Sequence, residues 1–211
     1  MRIERFLPVV VILFAVVISA GGCIGKGTQR PTKNYVLNSL YSVEPQPQTV
    51  TELNTIGILV GPVRLPLYLD RSEIVTRNSL NEVEIADFAK WAGPLQENFT
   101  RVLAEDLAVL LSTDRVGIFP GERARLFDYN VTVYVTRFDG MLGEKAHLRA
   151  RWVILDKKRK TVLFEKHTVQ SQSTENESMR ALIAAQSHTL TDLSREIAGA
   201  IKALAEGKNP G

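Results

Sequence analysis

A near-continuous apolar run at the N-terminus, Leu7 to Ala20, broken only by Pro8 and Ser19, most limits what this chain can become. It comes after a short charged start carrying Arg2, Glu4 and Arg5. A helix of that length rises about 21 Å, short of the roughly 30 Å hydrocarbon core of a bilayer. The run therefore reads as a signal peptide rather than a permanent span, and residues 1–22 are set aside from the folded domain. Ala20-Gly21-Gly22 then places three small residues directly before Cys23, the only cysteine of the chain. With no second cysteine, no intramolecular disulfide can form.

The arrangement resembles the lipobox cleaved by lipoprotein signal peptidase. In such lipoproteins the cysteine sulfur receives a diacylglycerol, cleavage exposes the cysteine amine, and that amine is commonly acylated too, often with palmitate. Two or three acyl chains hold a protein on a membrane stably where one chain is marginal, because each buried CH₂ contributes about 0.8 kcal/mol. The competing reading is an ordinary secreted protein with a chance cysteine, which would leave Cys23 an exposed free thiol. By the same resemblance Ile24 is the sorting position. Aspartate there is the usual inner-membrane retention signal, so Ile24 points to the outer membrane. Residues 23–34 are polar and rich in Gly, Lys and Thr, and read as a flexible tether with a reach of about 17–20 Å.

Residues 35–211 have the composition of one globular domain. The whole chain of 211 residues is 45% apolar, and the share without the leader is about 42%. Its 26 basic and 23 acidic side chains give a formal charge of +3. That balance lacks the strongly basic character by which nucleic-acid binders are recognised, so no nucleic-acid partner is expected.

Along the domain, Tyr35 to Leu40 is strand-like, and Thr55 to Val63 reads as a buried strand. Leu65 to Arg71 is a proline-containing apolar crossing. Glu73 to Arg77 and Glu82 to Ile85 flank a turn and read as a small hairpin. Leu95, Phe99, Val102, Leu103, Leu107, Leu110 and Leu111 share one face of a helix that Pro94 opens. Val116 to Phe119 is a short strand. Tyr129 to Phe138 alternates, with Val131, Val133 and Val135 on one face and Asn130, Thr132, Tyr134 and Thr136 on the other. His147 to Asp156 and Thr161 to Ser171, joined by Lys157 to Lys160, extend an antiparallel meander. From about Asn176, Met179, Ile183, Gln186, Leu190, Leu193, Ile197, Ile201 and Leu204 mark a long final helix. The expected fold is α+β: a mixed, largely antiparallel sheet with two long amphipathic helices packed on it.

Chemistry is sparse. Neither a Gly-x-Ser-x-Gly elbow nor a phosphate-cradling Gly-x₄-Gly-Lys-[Ser/Thr] loop occurs. His147, His167 and His188 are far apart, and no metal site or cofactor is expected. Glu82 and Glu84 lie on one strand face and read as solvated charge rather than an acid–base pair. The cations of Lys157 to Lys160 suit a solvated hairpin tip, with contact to anionic lipid as the functional reading. Arg149 and Arg151 share one strand face beside Trp152, and two guanidiniums there need water, carboxylates or a partner. Trp91 reads as a packed corner or a contact hot spot. Tyr68, Asp70 and Arg71, at the end of the apolar crossing, are candidates for structural hydrogen bonds or partner contact.

Five segments in order, Tyr35-Val-Leu, Gly61-Pro-Val-Arg-Leu-Pro-Leu-Tyr-Leu-Asp-Arg71, Ile74-Val-Thr-Arg77, Trp91-Ala-Gly-Pro-Leu95 and Arg101-Val-Leu-Ala-Glu-Asp-Leu107, resemble the ABC-type transport auxiliary lipoprotein family. The likeness runs from about Tyr35 to Phe138, and Lys90-Trp91 stands where that family commonly has Arg-Trp. The resemblance implies a non-enzymatic outer-membrane lipoprotein facing the periplasm. Its implied partners are an MCE-domain transport protein with its inner-membrane components, moving lipids or other hydrophobic molecules between the two membranes and supporting envelope integrity. Assembly into a homo-oligomer stays open. It brings no catalytic residues. Two rival readings are a lipid-tethered envelope hydrolase and a lipoprotein that itself holds a lipid in an apolar groove.

Because no other thiol exists to take the diacylglycerol, Cys23→Ser should abolish lipidation. Labelled fatty acid incorporated into the variant as strongly as into the native chain would refute the lipobox reading.

Overall fold

The valine alternation at positions 131, 133 and 135 marks the strand around which the larger of two sheets is built. A computed structural model of the chain describes residues 30–43, 55–121, 126–158 and 161–210. Cys23, Ile24 and most of the tether lie outside the described residues. The elements run β1 (Lys33–Tyr35), α1 (Leu40–Val43), β2 (Ile58–Arg64), a 3-10 turn (Leu67–Leu69), β3 (Glu73–Arg77), β4 (Val83–Trp91), α2 (Leu95–Leu111), β5 (Val116–Ile118), β6 (Tyr129–Gly140), β7 (Lys145–Asp156), β8 (Val162–Ser173) and α3 (Met179–Ala205).

The fold is α+β, with the strands divided between two sheets. The larger has the order β5-β2-β6-β7-β8 and the smaller β1-β4-β3. β2 runs parallel to both β5 and β6, whereas β6, β7 and β8 form the antiparallel meander. In the small sheet β3 is antiparallel and β1 parallel to β4. The β3–β4 hairpin forms as expected, but β4 continues past Ile85 to Trp91, and a register shift between Glu73 and Val75 absorbs the additional residues.

Both long helices lie against the inner face of the large sheet. Leu95, Phe99, Val102, Leu103, Leu107 and Leu111 of α2 are buried, as are Ile183, Leu190, Leu193, Ile197 and Ile201 of α3. They meet Val131, Val133 and Val135 of β6 and Leu148, Ala150, Trp152 and Ile154 of β7. Phe99 meets Phe138 edge to face at 5.2 Å. Each such large side chain contributes about 1.5–3 kcal/mol by leaving water. The Trp152 indole donates to Thr168 Oγ1, which donates in turn to Glu196 Oε2, so the one polar atom of that side chain is satisfied inside the core. Gly140 ends β6 where no larger residue fits: a Cβ would stand 2.5 Å from the Lys145 carbonyl oxygen and 2.7 Å from Leu182 Cδ1. α3 begins at Met179 rather than near Asn176, because the Ser178 side chain caps it by accepting from the Ala181 N–H.

The first segment departs from expectation. Only Lys33–Tyr35 is strand, and the chain then leaves the sheet instead of continuing to Leu40. β4 ends at Trp91, so no ladder remains beyond Tyr35, whose carbonyl accepts from Ala92. The next backbone donors turn to the helices. Asn38 N–H donates to Ser187 Oγ on α3, and Leu40 N–H to Asp106 Oδ1 on α2 at 2.8 Å. Leu37, just before them, is buried in the core. Residues 37–40 are thus strapped across the helix pair.

Asp106 is fully buried and also accepts from Thr191 Oγ1. Burial pushes its carboxyl above the usual range, against the lowering effect of the Leu40 N–H. A raised carboxyl adds stability that is fully present below its unfolded value of about 3.9 and is lost as pH rises through its folded value. Asp106→Asn keeps an acceptor for Leu40 and cannot ionise. It should therefore flatten the pH dependence of unfolding above about pH 4 and stay within about 1 kcal/mol of the native chain at neutral pH, whereas Asp106→Leu, stranding the Leu40 N–H, should cost about 1–3 kcal/mol. Urea unfolding across that range checks both, and an Asn variant as unstable as the Leu variant would contradict the assignment.

Candidate functional site

The 3-10 turn, β3 and β6 come together at one buried carboxylate. Asp139, with no exposed side-chain surface, accepts from Arg77 Nε at 2.8 Å and Tyr68 Oη at 2.8 Å through Oδ2, and from Arg137 Nε at 2.7 Å through Oδ1. Burial and the hydrogen bond to Asp139 push the Tyr68 hydroxyl up to about 12, so it stays a donor. Tyr68 therefore faces inward and is a structural hydrogen-bond former rather than an exposed contact. Asp139 itself escaped the sequence reading. A register shift between Val135 and Arg137 resets the alternation of β6, so strict period two misplaces everything after it.

The same clamp aims the exposed end of the crossing. Leu67, Asp70 and Arg71 meet Trp91, Pro94 and Gln96 around an open cleft of about 440 Å³. Leu67 is 87% exposed, while Trp91 is 5% exposed and belongs to the core beneath. Trp91 N–H donates to the Ser72 carbonyl at 2.7 Å, which joins the two walls of the cleft. Three residues singled out in the sequence, Asp70, Arg71 and Trp91, are thus brought to one place, with Trp91 as packed corner and cleft wall together.

Arg149 and Arg151 lie elsewhere, on the outer face of the large sheet, while Leu148, Ala150 and Trp152 point to the helices. Arg151 Nη1 pairs with Glu165 Oε1 at 2.9 Å, and its guanidinium lies 4.7 Å from the Tyr134 ring centre. Arg64 approaches the same ring at 5.8 Å. Gly61, with φ of +114°, stands in the bulge of β2 that brings Arg64 into register with Tyr134.

The histidines do not converge. His147 pairs with Asp139 across β6 and β7, and His167 with Arg151 across β7 and β8, while His188 lies exposed on α3. Burial, and after it the Arg137 charge, hold the His147 imidazole below its ordinary value. Among the described residues no group of three or more His, Cys, Asp and Glu side chains could hold a metal. Glu82 and Glu84 are exposed, as are Lys157 and Lys158, while Arg159 and Lys160 lie outside the described residues. No described helix is long and apolar enough to cross a membrane.

Comparison with known proteins agrees with this architecture. A crystal structure of an uncharacterized protein superposes with a TM-score of 0.65 at 18% identity, covering 82% of this chain and 99% of its own. A protein from Xanthomonas campestris superposes with a TM-score of 0.64 at 16% identity, covering 83% and 99% respectively. At those identities the likeness establishes the fold. No curated protein matches the sequence significantly. The model of the ABC-type transport auxiliary lipoprotein component matches residues 35–198, and the chain belongs to that family.

Proposed function

We propose that the domain is a non-enzymatic docking piece, held on the periplasmic side of the outer membrane by acylated Cys23, that engages an MCE-domain transport assembly moving lipid or other hydrophobic molecules between membranes. Family membership as a transport auxiliary lipoprotein supports the general role. Ile24 supports the outer membrane over the inner. The observation that carries the docking reading is the convergence of Leu67, Asp70, Arg71 and Trp91 on one open cleft. An exposed leucine, a fork-shaped cation and an indole wall are the ingredients of a contact hot spot, and the clamp beneath holds them in place before any partner arrives.

The rival hydrolase would need a nucleophile with a base beside it. The cleft offers Ser72, whose hydroxyl donates to Glu73 Oε1, and no histidine lines it. A lipid-cradling reading would need a deep apolar cavity, whereas this cleft is open and rimmed by Asp70 and Arg71.

Capture of the transport partner from native envelopes by the detergent-solubilised lipoprotein tests the proposal. Leu67→Glu/Arg71→Glu alters only exposed side chains and should weaken capture about 30-fold, equivalent to about 2 kcal/mol, with thermal unfolding unchanged. Undiminished capture of the MCE-domain subunit would remove the cleft from the interface, and absence of that subunit from native capture would refute the partner.

A further inference from the structure

The outer face of β6, β7 and β8 has a charge that the docking cleft does not use. Arg137 of β6 and Lys145, Arg149 and Arg151 of β7 present four cations there, with Arg64 of β2 beside them and Arg77 reaching in from β3, against two carboxylates, Asp139 and Glu165. The cations thus outnumber the carboxylates on one sheet face. Arg77 and Arg137 are committed to Asp139, and Arg151 gives one nitrogen to Glu165. Arg149 is exposed and has no ion pair among the described residues. The strand period fixes Lys145, Arg149 and Arg151, alternate residues of β7, on this side.

The face is also concave at the right place. Tyr134, Thr136, Arg149, Arg151, His167 and Val169 surround a cleft of about 330 Å³. Tyr134 has both Arg64 and Arg151 against its ring, which fixes the Arg151 fork while leaving nitrogens free to donate. Forked guanidiniums beside an imidazole and a phenol suit an oxyanion with several acceptor atoms better than a single carboxylate. The wall is apolar as well: Val169 is 64% exposed directly opposite Arg149 in the β7–β8 register. Free phosphate would leave that surface wet, whereas a phosphodiester carrying glycerol and acyl groups would cover it.

We propose that this face is a binding site for the phosphate headgroup of an anionic phospholipid, with Arg149 and Arg151 as the phosphate donors, Tyr134 as the plate that orients Arg151, and Val169 as contact for the glycerol ester. The site is separate from the cleft at Trp91 and requires no transport partner. A lipoprotein is kept beside a source of such headgroups, so even a weak intrinsic affinity would be filled by proximity.

The test uses the full chain in uncharged detergent micelles carrying photoactivatable phosphatidylglycerol, or photoactivatable phosphatidylcholine as the neutral comparison. Crosslinks are mapped by mass spectrometry. The expected result is labelling of β7 and β8 about tenfold stronger from phosphatidylglycerol, falling about tenfold in Arg149→Gln/Arg151→Gln. Arg149→Gln alone breaks no ion pair and should lower labelling several-fold, so it decides the matter if the double variant unfolds. Equal labelling by the two lipids, or undiminished labelling in Arg149→Gln, would overturn the proposal. Inorganic phosphate that displaces the probe as completely, mole for mole, as unlabelled phosphatidylglycerol would make free phosphate the ligand, and a polyglutamate peptide that does so would make it an acidic protein; either overturns the lipid assignment. Partner capture is not involved, so failure here leaves the docking reading standing.

Discussion

Asp139 is the residue on which the arrangement of the two sheets turns. It sits on the central long strand of the large sheet, yet two of its three partners come from elsewhere: Tyr68 from the 3-10 turn and Arg77 from β3, with Arg137 two residues back on its own strand. A buried carboxylate is tolerated only when paired and hydrogen-bonded, and losing one side of such a set costs about 3–5 kcal/mol because the remaining charges are left uncompensated. That penalty restricts where the small sheet can rest. Once Arg77 is fixed, β3 and β4 are placed with it, Trp91 is carried to the end of β4, and Leu67 to Arg71 are presented opposite it.

A second constraint acts on the chain just after β1. Leu37 is buried in the core, and the N–H groups of Asn38 and Leu40 are taken by Ser187 and Asp106. A purely apolar plug would slide more readily; directed hydrogen bonds to two different helices fix its register. In the proposed lipid-anchored state, any pull on the tether would be borne by this strap as well as by β1.

The elements most legible in the sequence were those whose periodicity is uninterrupted. The α2 and α3 stripes, β6 as far as Val135 and β7 from Ala146 to Trp152 each follow one burial pattern, and the residues that pattern names are largely the buried ones. The small sheet was legible only as a hairpin. Its third strand, β1, is three residues long and parallel, and a pairing across more than fifty residues leaves no local trace. Tyr35 to Leu40 has strand-like composition throughout, but tertiary acceptors on the helices win over propensity after Tyr35. Asp70, Arg71 and Trp91 were visible as unusual residues, though nothing in their spacing said they would share a cleft. Tyr68 looked equivalent to its neighbours until the turn geometry directed it inward. Asp139 was hidden by the bulge that precedes it.

The central claim is that the Asp139 clamp fixes how the small sheet, whose Ile74, Val75, Ala89 and Trp91 share the helix-covered core, is oriented, and through it the cleft at Trp91. Amide hydrogen exchange of the full chain carrying Asp139→Asn measures this directly, since local opening is reported element by element. The account predicts that exchange accelerates about tenfold or more in β3, β4 and the 3-10 turn, while β7, β8 and α3 keep native protection. Uniform acceleration across both sheets, or none in β3 and β4, would contradict it.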